Sequence, residues 1–209
     1  MLQGQEVQTS THPKLAALAL QVPQEVSLQV TPAQFVALAA VNRELRLERT
    51  STGELIVNPP TGWESGARNS SLTGELYLWW RRAGEPGKVF DSSTGFTLSN
   101  GAIRSSDASW VSQARWEALA PEQKQTFANI CPDFVVELRS PSDRLPLLPA
   151  KLQEYIDNGA QLGWLIDPLQ RRVEIYHPGA AVVMLAEPTA LSGETVLPGF
   201  ELDLRRVWG

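Results

Sequence analysis

The sequence predicts an α/β protein: a mixed central β-sheet with helices on its faces, preceded by a helix and a β-hairpin. Three observations predict it. The 209 residues are 43 % hydrophobic and 20 % charged, the balance of an ordinary globular chain with ample material for a core. Patterns of helical and strand period follow one another in the order helix, hairpin, helix, antiparallel strands, strand, helix, strands, which packs as helices against a sheet. The run Phe134 to Leu138 is apolar except for Glu137, as in a strand in a sheet interior.

Residues 1–30 are mixed, with Gln-rich and Val/Leu stretches, and are expected to form a loosely attached arm before a single domain spanning 31–209. The apolar run Leu15 to Val22 is followed by Pro23 without a small-residue cleavage site, so it is not read as a signal peptide. Thr31 followed by Pro32 is an N-cap with proline at the first helical position, opening a helix to about Asn42. ELRLERTSTGELIVNPP gives two alternating runs around a Ser-Thr-Gly turn, a hairpin. Next comes a helix near Arg68 to Arg82 with Leu72, Leu76, Trp79 and Trp80 on one side.

Short strands follow at Lys88 to Asp91, Phe96 to Leu98 and Ala102 to Val111, separated by glycine-containing turns. Small helices are expected over Ser112 to Leu119 and Pro121 to Ala128. A strand then starts at Asp133. After it come a turn carrying Pro141, Pro146 and Pro149, and a helix to Asn158 stopped by Gly159. Leu162 to Asp167 and Arg172 to His177 are strands, and Ala181 to Ala186 and Phe200 to Leu204 are expected to close the sheet.

The bulk numbers exclude several classes. One cysteine excludes an internal disulfide and argues against a cysteine-built zinc site. No window approaches eighteen uninterrupted apolar residues, so no membrane span is expected and the cytoplasm is the default location. A net charge of −5 counts against a coat protein that wraps nucleic acid through its whole surface, but not against an enzyme with a local basic rim and a metal ion in its cleft.

The chemistry concentrates in CPDFVVELRSPSD, Cys131 to Asp143. Alternation places Phe134, Val136 and Leu138 on one face and Asp133, Val135, Glu137 and Arg139 on the other. Charges on so covered a strand are costly unless paired or bound to a metal. Upstream, Asp107 follows Ser105-Ser106, where the pleat is weak. Two carboxylates converging from neighbouring strands make a natural Mg²⁺ site; alternatively Asp107 caps a turn and Glu137 pairs with Arg139. Lys151 and Tyr155 are four apart, hence on one face of the helix that follows the carboxylate strand. From there an ammonium reaches back to orient or deprotonate a water, or to neutralise charge on a phosphate.

Asp107, Asp133-x3-Glu137-x-Arg139 and Lys151-x3-Tyr155 resemble the PD-(D/E)xK nuclease superfamily. More closely, CPDFVVELRSPSD, KLQEYIDNG, LGWLIDP, RRVEIYHP and the closing LPGFELDL are similar to the bacterial "putative restriction endonuclease" family of the domain-of-unknown-function type. The likeness runs from about residue 31 to the C-terminus. It implies a restriction-endonuclease-like fold, DNA as substrate, and Mg²⁺ or Mn²⁺ held by Asp107 and Glu137, with Lys151 replacing the superfamily lysine. Ser106 stands where that superfamily has proline, and Arg139 where it has lysine; arginine cannot serve as a base at neutral pH, so Arg139 is assigned to steadying a phosphate or a carboxylate. The superfamily often adds a helical glutamate, for which Glu75 and Glu64 are the candidates. A homodimer would give two symmetry-related sites for cutting both strands. The competing reading is a catalytically inactive module of the same fold that binds nucleic acid or a protein partner.

His12 and His177 lack metal-ligand spacing, and Ser140-Pro141-Ser142 lacks the glycines of a nucleophile elbow. Trp79, Trp80, Trp110, Trp116 and Trp164 are read as core, and the arginine pairs Arg81-Arg82, Arg171-Arg172 and Arg205-Arg206 as solvated surface.

Overall fold

The computed structural model describes residues 26–58, 60–141 and 147–208. Of the expected N-terminal arm, residues 1–25 lie outside these, as do Leu15 to Val22, His12 and Pro146. Residues 28–30 run along the turn of the hairpin: Gln29 bridges Glu54, and the Val30 amide donates to the Gly53 carbonyl at 2.8 Å. No helix among the described residues is long and apolar enough to cross a membrane.

Helix α1 (Pro32–Val41) opens with a full capping box, the Thr31 hydroxyl accepting from the Gln34 amide while the Gln34 side chain accepts from the Thr31 amide. It docks through Phe35, whose ring meets Phe127 edge-on at 5.4 Å. The hairpin forms as expected from β1 (Arg46–Arg49) and β2 (Leu55–Asn58), with Arg46 opposite Asn58 and Glu48 opposite Ile56. Helix α2 (Trp63–Arg82) begins five residues before the expected Arg68. Its core stripe, Leu72, Leu76 and Trp79, continues backwards at the same spacing through polar Asn69 and Ser65, which hydrophobic patterning alone does not register.

Strands β3 (Gly87–Asp91) and β4 (Phe96–Thr97) follow. The expected strand Ala102 to Val111 is two strands, β5 (Ile103–Arg104) and β6 (Ala108–Ser112). The break falls at Ser105-Ser106-Asp107 and sends the halves into different sheets: β5 joins a four-stranded sheet ordered β2-β1-β5-β4. The larger sheet has six strands, assembled from β3, β6, β7 (Phe134–Leu138), β8 (Leu162–Asp167), β9 (Arg172–Tyr176) and β10 (Val183–Ala186), ordered β10-β9-β8-β7-β6-β3. Only β7 and β8 are parallel neighbours, and helix α4 (Leu147–Asp157) makes the crossover between them. Between β6 and β7 lie the short helix α3 (Gln113–Ala118) and a 3₁₀ turn over Gln123–Gln125. The segment near Phe200 does not close the large sheet. It forms β12 (Glu201–Asp203), which pairs with β11 (Ala190–Ser192) in a separate ribbon before helix α5 (Arg205–Trp208). Phe200, Leu202 and Leu204 instead cover one face of the large sheet.

That sheet is packed on both sides. Phe134, Val136 and Leu138 share a core with Leu72, Leu76 and Trp79 of α2, whereas Val135 shares one with Leu152, Tyr155 and Ile156 of α4. Alternation therefore aims Glu137 at the α4 side. The charges expected on that face each have a partner: Asp133 accepts from Arg115 and from the Ser112 amide, both at 2.7 Å, and Arg139 donates to Asp167 at 2.6 Å.

Candidate active site

The site lies where the two sheets meet. Register places Ala108 opposite Val136, so one step further Asp107 comes opposite Glu137 on the adjoining antiparallel strand, the two side chains on one face. The break at Ser105-Ser106-Asp107 frees β6 from β5 at that point. The Asp107 amide still donates to the Val136 carbonyl at 3.0 Å, so the aspartate is fixed at the sheet end. Its Oδ2 accepts from the Leu138 amide at 2.8 Å and its Oδ1 from Asn69 Nδ2 at 3.0 Å, with Arg46 Nη2 3.7 Å away.

Lys151 lies on α4 beside Leu152, which packs over Gly163 of β8. A methyl group at Gly163 would meet Leu152 Cδ1 at 2.9 Å, so the absent side chain is what lets α4 approach the sheet. From there the ammonium enters a cage of three oxygens: Glu48 Oε1 at 2.9 Å, Glu137 Oε1 at 2.9 Å and the Ser105 carbonyl at 2.8 Å. The ammonium donates hydrogen bonds to Glu48 and the Ser105 carbonyl, whereas Glu137 Oε1 is paired with it by charge and is buried without a hydrogen-bond partner. Glu48 is held in addition by Arg104 Nη1 at 3.3 Å and Asn58 Nδ2 at 3.4 Å, and Arg104 Nε continues to Glu154 at 2.6 Å. Glu48 and Glu137 are 3 % and 4 % exposed, so this is a buried network of acids and bases.

Burial sets the proton affinities. It pushes the Glu137 carboxyl up to about 8, Lys151 opposing and Asp107 and Glu48 reinforcing the shift. Asp107 is also raised by burial, against its hydrogen bond from Leu138 and the charges of Lys151 and Arg46. Burial alone would lower the Lys151 ammonium, yet Glu137 and Glu48 together hold it above its ordinary value. Removal from water is the main cause of the upward shift in both carboxyls, and the neighbouring cations offset it only in part. Around Asp107, Asn69 Oδ1, Arg46 Nε and Ser106 Oγ are buried without a hydrogen-bond partner in the protein. The two unpartnered oxygens, Asn69 Oδ1 and Ser106 Oγ, are of the kind a hard divalent cation takes beside the Asp107 carboxylate, whereas Arg46 Nε is an N–H of a cation and is no ligand. No group of three or more His, Cys, Asp or Glu side chains among the described residues is arranged to hold a metal. Two carboxylates suit Mg²⁺ or Mn²⁺, ions that keep several waters and take further oxygens from a substrate.

Of the residues singled out in the sequence, the structure brings Asp107, Glu137 and Lys151 together. Arg139 stands apart. Register continues from Leu138 opposite Ile166 to Arg139 beside Asp167, so its guanidinium is neutralised there. Glu75 is also elsewhere, taking Arg206 at 3.2 Å on α5, and Glu64 is exposed beside Arg68. The α2 residue that reaches the site is Asn69, a turn and a half before Glu75. Glu48 carries no sequence signal, because Arg46 and Glu48 alternate with Leu47 as on any solvated hairpin face. Asn69 did leave a signal, a polar residue in register with Leu72, Leu76 and Trp79.

The model of the Uma2 family, described as "Putative restriction endonuclease", matches residues 32–205. The chain belongs to this family. The match takes in α1, both sheets and every residue of the cluster. The crystal structure of a putative nuclease belonging to DUF820 from Anabaena variabilis superposes with a TM-score of 0.65, covering 78 % of this chain and 89 % of that one at 20 % identity. That likeness shows the shared fold, a mixed sheet flanked by helices. No curated protein matches the chain significantly.

Proposed function

We propose that the chain is a metal-dependent endonuclease hydrolysing phosphodiester bonds of DNA, with Asp107 and Glu137 holding Mg²⁺ or Mn²⁺. The observation that carries this reading is the register pairing of Asp107 with Glu137 beside the buried ammonium of Lys151. Membership of a family described as "Putative restriction endonuclease" supports it. When bound, the ion supplies Lewis acidity and lowers the pKa of a water.

The protein's own residues do the rest. Lys151, held above its ordinary proton affinity by two carboxylates, keeps its proton at neutral pH. It therefore acts as a fixed positive charge for the phosphate oxygens rather than as the base that accepts the water's proton. Glu48 is a positioning residue: with the Ser105 carbonyl it sets where that ammonium stands. Asn69 and the Leu138 amide orient the Asp107 carboxylate. The inactive-module reading predicts Lys151 in solvent and Glu137 bonded to Arg139. Here the Lys151 side chain is 13 % exposed and Arg139 is occupied by Asp167.

The test is cleavage of supercoiled plasmid and of single-stranded circular DNA with Mg²⁺ or Mn²⁺. Cleavage abolished by EDTA and by Asp107→Ala is expected. Cleavage that survives Asp107→Ala refutes the assignment.

A further inference from the structure

Strand β1 carries two charged side chains on one face, because Arg46 and Glu48 are two residues apart. Glu48 is enclosed, its side chain 5 % exposed, and it holds Lys151. Arg46 lies about 6.7 Å nearer the start of the strand and keeps 31 % of its side-chain surface. This face of β1 therefore runs from the interior of the acid cluster out to its rim, with Arg46 at the rim. A direct contact places it there: Arg46 Nη2 is 3.7 Å from Asp107 Oδ1.

The use of its donors sets Arg46 apart from the other cations of the network. The Lys151 ammonium is enclosed by Glu48, Glu137 and the Ser105 carbonyl. Arg104 donates to Glu154 and Glu48, and Arg139 to Asp167. Arg46 reaches no carboxylate at hydrogen-bond distance, and the Asp107 oxygens instead accept from Asn69 and the Leu138 amide. Its one hydrogen bond among the described residues is the 3.4 Å contact of Nη1 with Thr61 Oγ1. Nε is buried without a partner, whereas Nη2 makes no hydrogen bond among the described residues and is not enclosed. A guanidinium has five N–H donors, and holding them unpaired at a partly covered position costs free energy. An accessible, unclaimed cationic donor thus stands beside the Asp107–Glu137 pair.

We propose that Arg46 is a substrate-contacting residue: Nη2 donates to a non-bridging oxygen of the phosphate that reaches Asp107 and Glu137. The inference rests on the nuclease reading and adds to it the group that touches the phosphate, since Lys151 acts through its charge from inside the cluster. A phosphate oxygen takes a guanidinium hydrogen bond at about 2.7–2.9 Å, shorter than the 3.7 Å that separates Nη2 from Asp107. The substrate therefore offers Arg46 a better partner than the protein does. Every nucleotide carries such an oxygen whatever its base, so this contact positions the backbone and reads no sequence.

The test measures binding in EDTA, with cleavage suppressed, by fluorescence anisotropy on a labelled duplex and on a labelled dT strand of equal length, over a range of KCl concentrations. On whichever probe the native protein binds more tightly, Arg46→Gln is expected to weaken binding about tenfold. It should also reduce the slope of log Kd against log salt by about 0.9 on the duplex or about 0.7 on the single strand, the share of one phosphate contact. Arg46→Lys keeps the charge and should keep the native slope. Mn²⁺ uptake by Arg46→Gln, followed by electron paramagnetic resonance, should equal the native protein's or exceed it, because Arg46 is a cation beside Asp107 and not a ligand. An unchanged slope in Arg46→Gln, a slope that Arg46→Lys fails to restore, Mn²⁺ uptake lost with Arg46, or no DNA binding by the native protein would each overturn the inference. Metal-dependent cleavage with an unaltered slope sinks the Arg46 contact alone. An Arg46-dependent slope in a protein without metal-dependent cleavage sinks the nuclease reading alone.

Discussion

Replacing Glu137 by glutamine isolates the charge on which the site turns, because glutamine has the shape and neutrality of a protonated glutamate. Raising a carboxyl from 4.5 to about 8 corresponds to roughly 5 kcal/mol at about 1.36 kcal/mol per tenfold change in proton affinity. Glu137 and Lys151 are 2.9 Å apart and titrate as a pair, so about half, ~2–3 kcal/mol, is the working figure. The sign follows from proton counts. Between pH 4.5 and about 8 the folded protein keeps the Glu137 proton while the unfolded chain has released it. The resulting stability is complete below pH 4.5 and is lost as pH rises through about 8. Urea unfolding of native protein and Glu137→Gln in EDTA, at steps from pH 5 to 9, measures it. The native-minus-variant difference is expected to fall by ~2–3 kcal/mol across this window, groups remote from Glu137 cancelling between the two proteins. Parallel pH profiles would refute the reasoning.

Lys151→Met should destabilise the protein by about 3–5 kcal/mol at pH 8, since it leaves Glu48 and Glu137 buried without their shared cation; the loss should shrink at pH 5, and urea midpoints at the two pH values check both. Gly163→Ala pushes a methyl to 2.9 Å from Leu152 Cδ1 and should cost about 1–3 kcal/mol in thermal or urea unfolding. Because Leu152 adjoins Lys151, it should also lower kcat for DNA cleavage. Thr31→Ala removes the α1 capping box and should cost about 0.5–2 kcal/mol in urea unfolding while leaving cleavage intact, as α1 supplies none of the side chains of the acid cluster.

Much of this architecture was legible because local chemistry and tertiary packing agree. Thr31-Pro32 marks the start of α1, Ser-Thr-Gly the hairpin turn, and Gly159 the end of α4. The strand Phe134–Leu138 announced itself by charges placed where only pairing or a metal makes them tolerable. Glu137 and Lys151 were legible as neighbours because each sits on an element whose pattern determines its face, and Asp107 because two serines precede it where the strand breaks. What escaped depends on long-range placement. Glu48 meets Lys151 across 103 residues of chain, and nothing on the hairpin distinguishes a glutamate facing α4 from one facing water. Arg104 reads as ordinary surface until β5 is known to leave the large sheet. Arg139 and Glu75 drew attention by position in a motif or on a helix, yet strand register gives one to Asp167 and a helix face gives the other to Arg206.

The most direct measurement is Mn²⁺ binding followed by electron paramagnetic resonance at pH 8, where Glu137 is substantially ionised. The expected result is one tight ion per chain, lost in both Asp107→Asn and Glu137→Gln while circular dichroism stays native. Equal Mn²⁺ uptake by all three folded proteins would show that these carboxylates do not hold the metal.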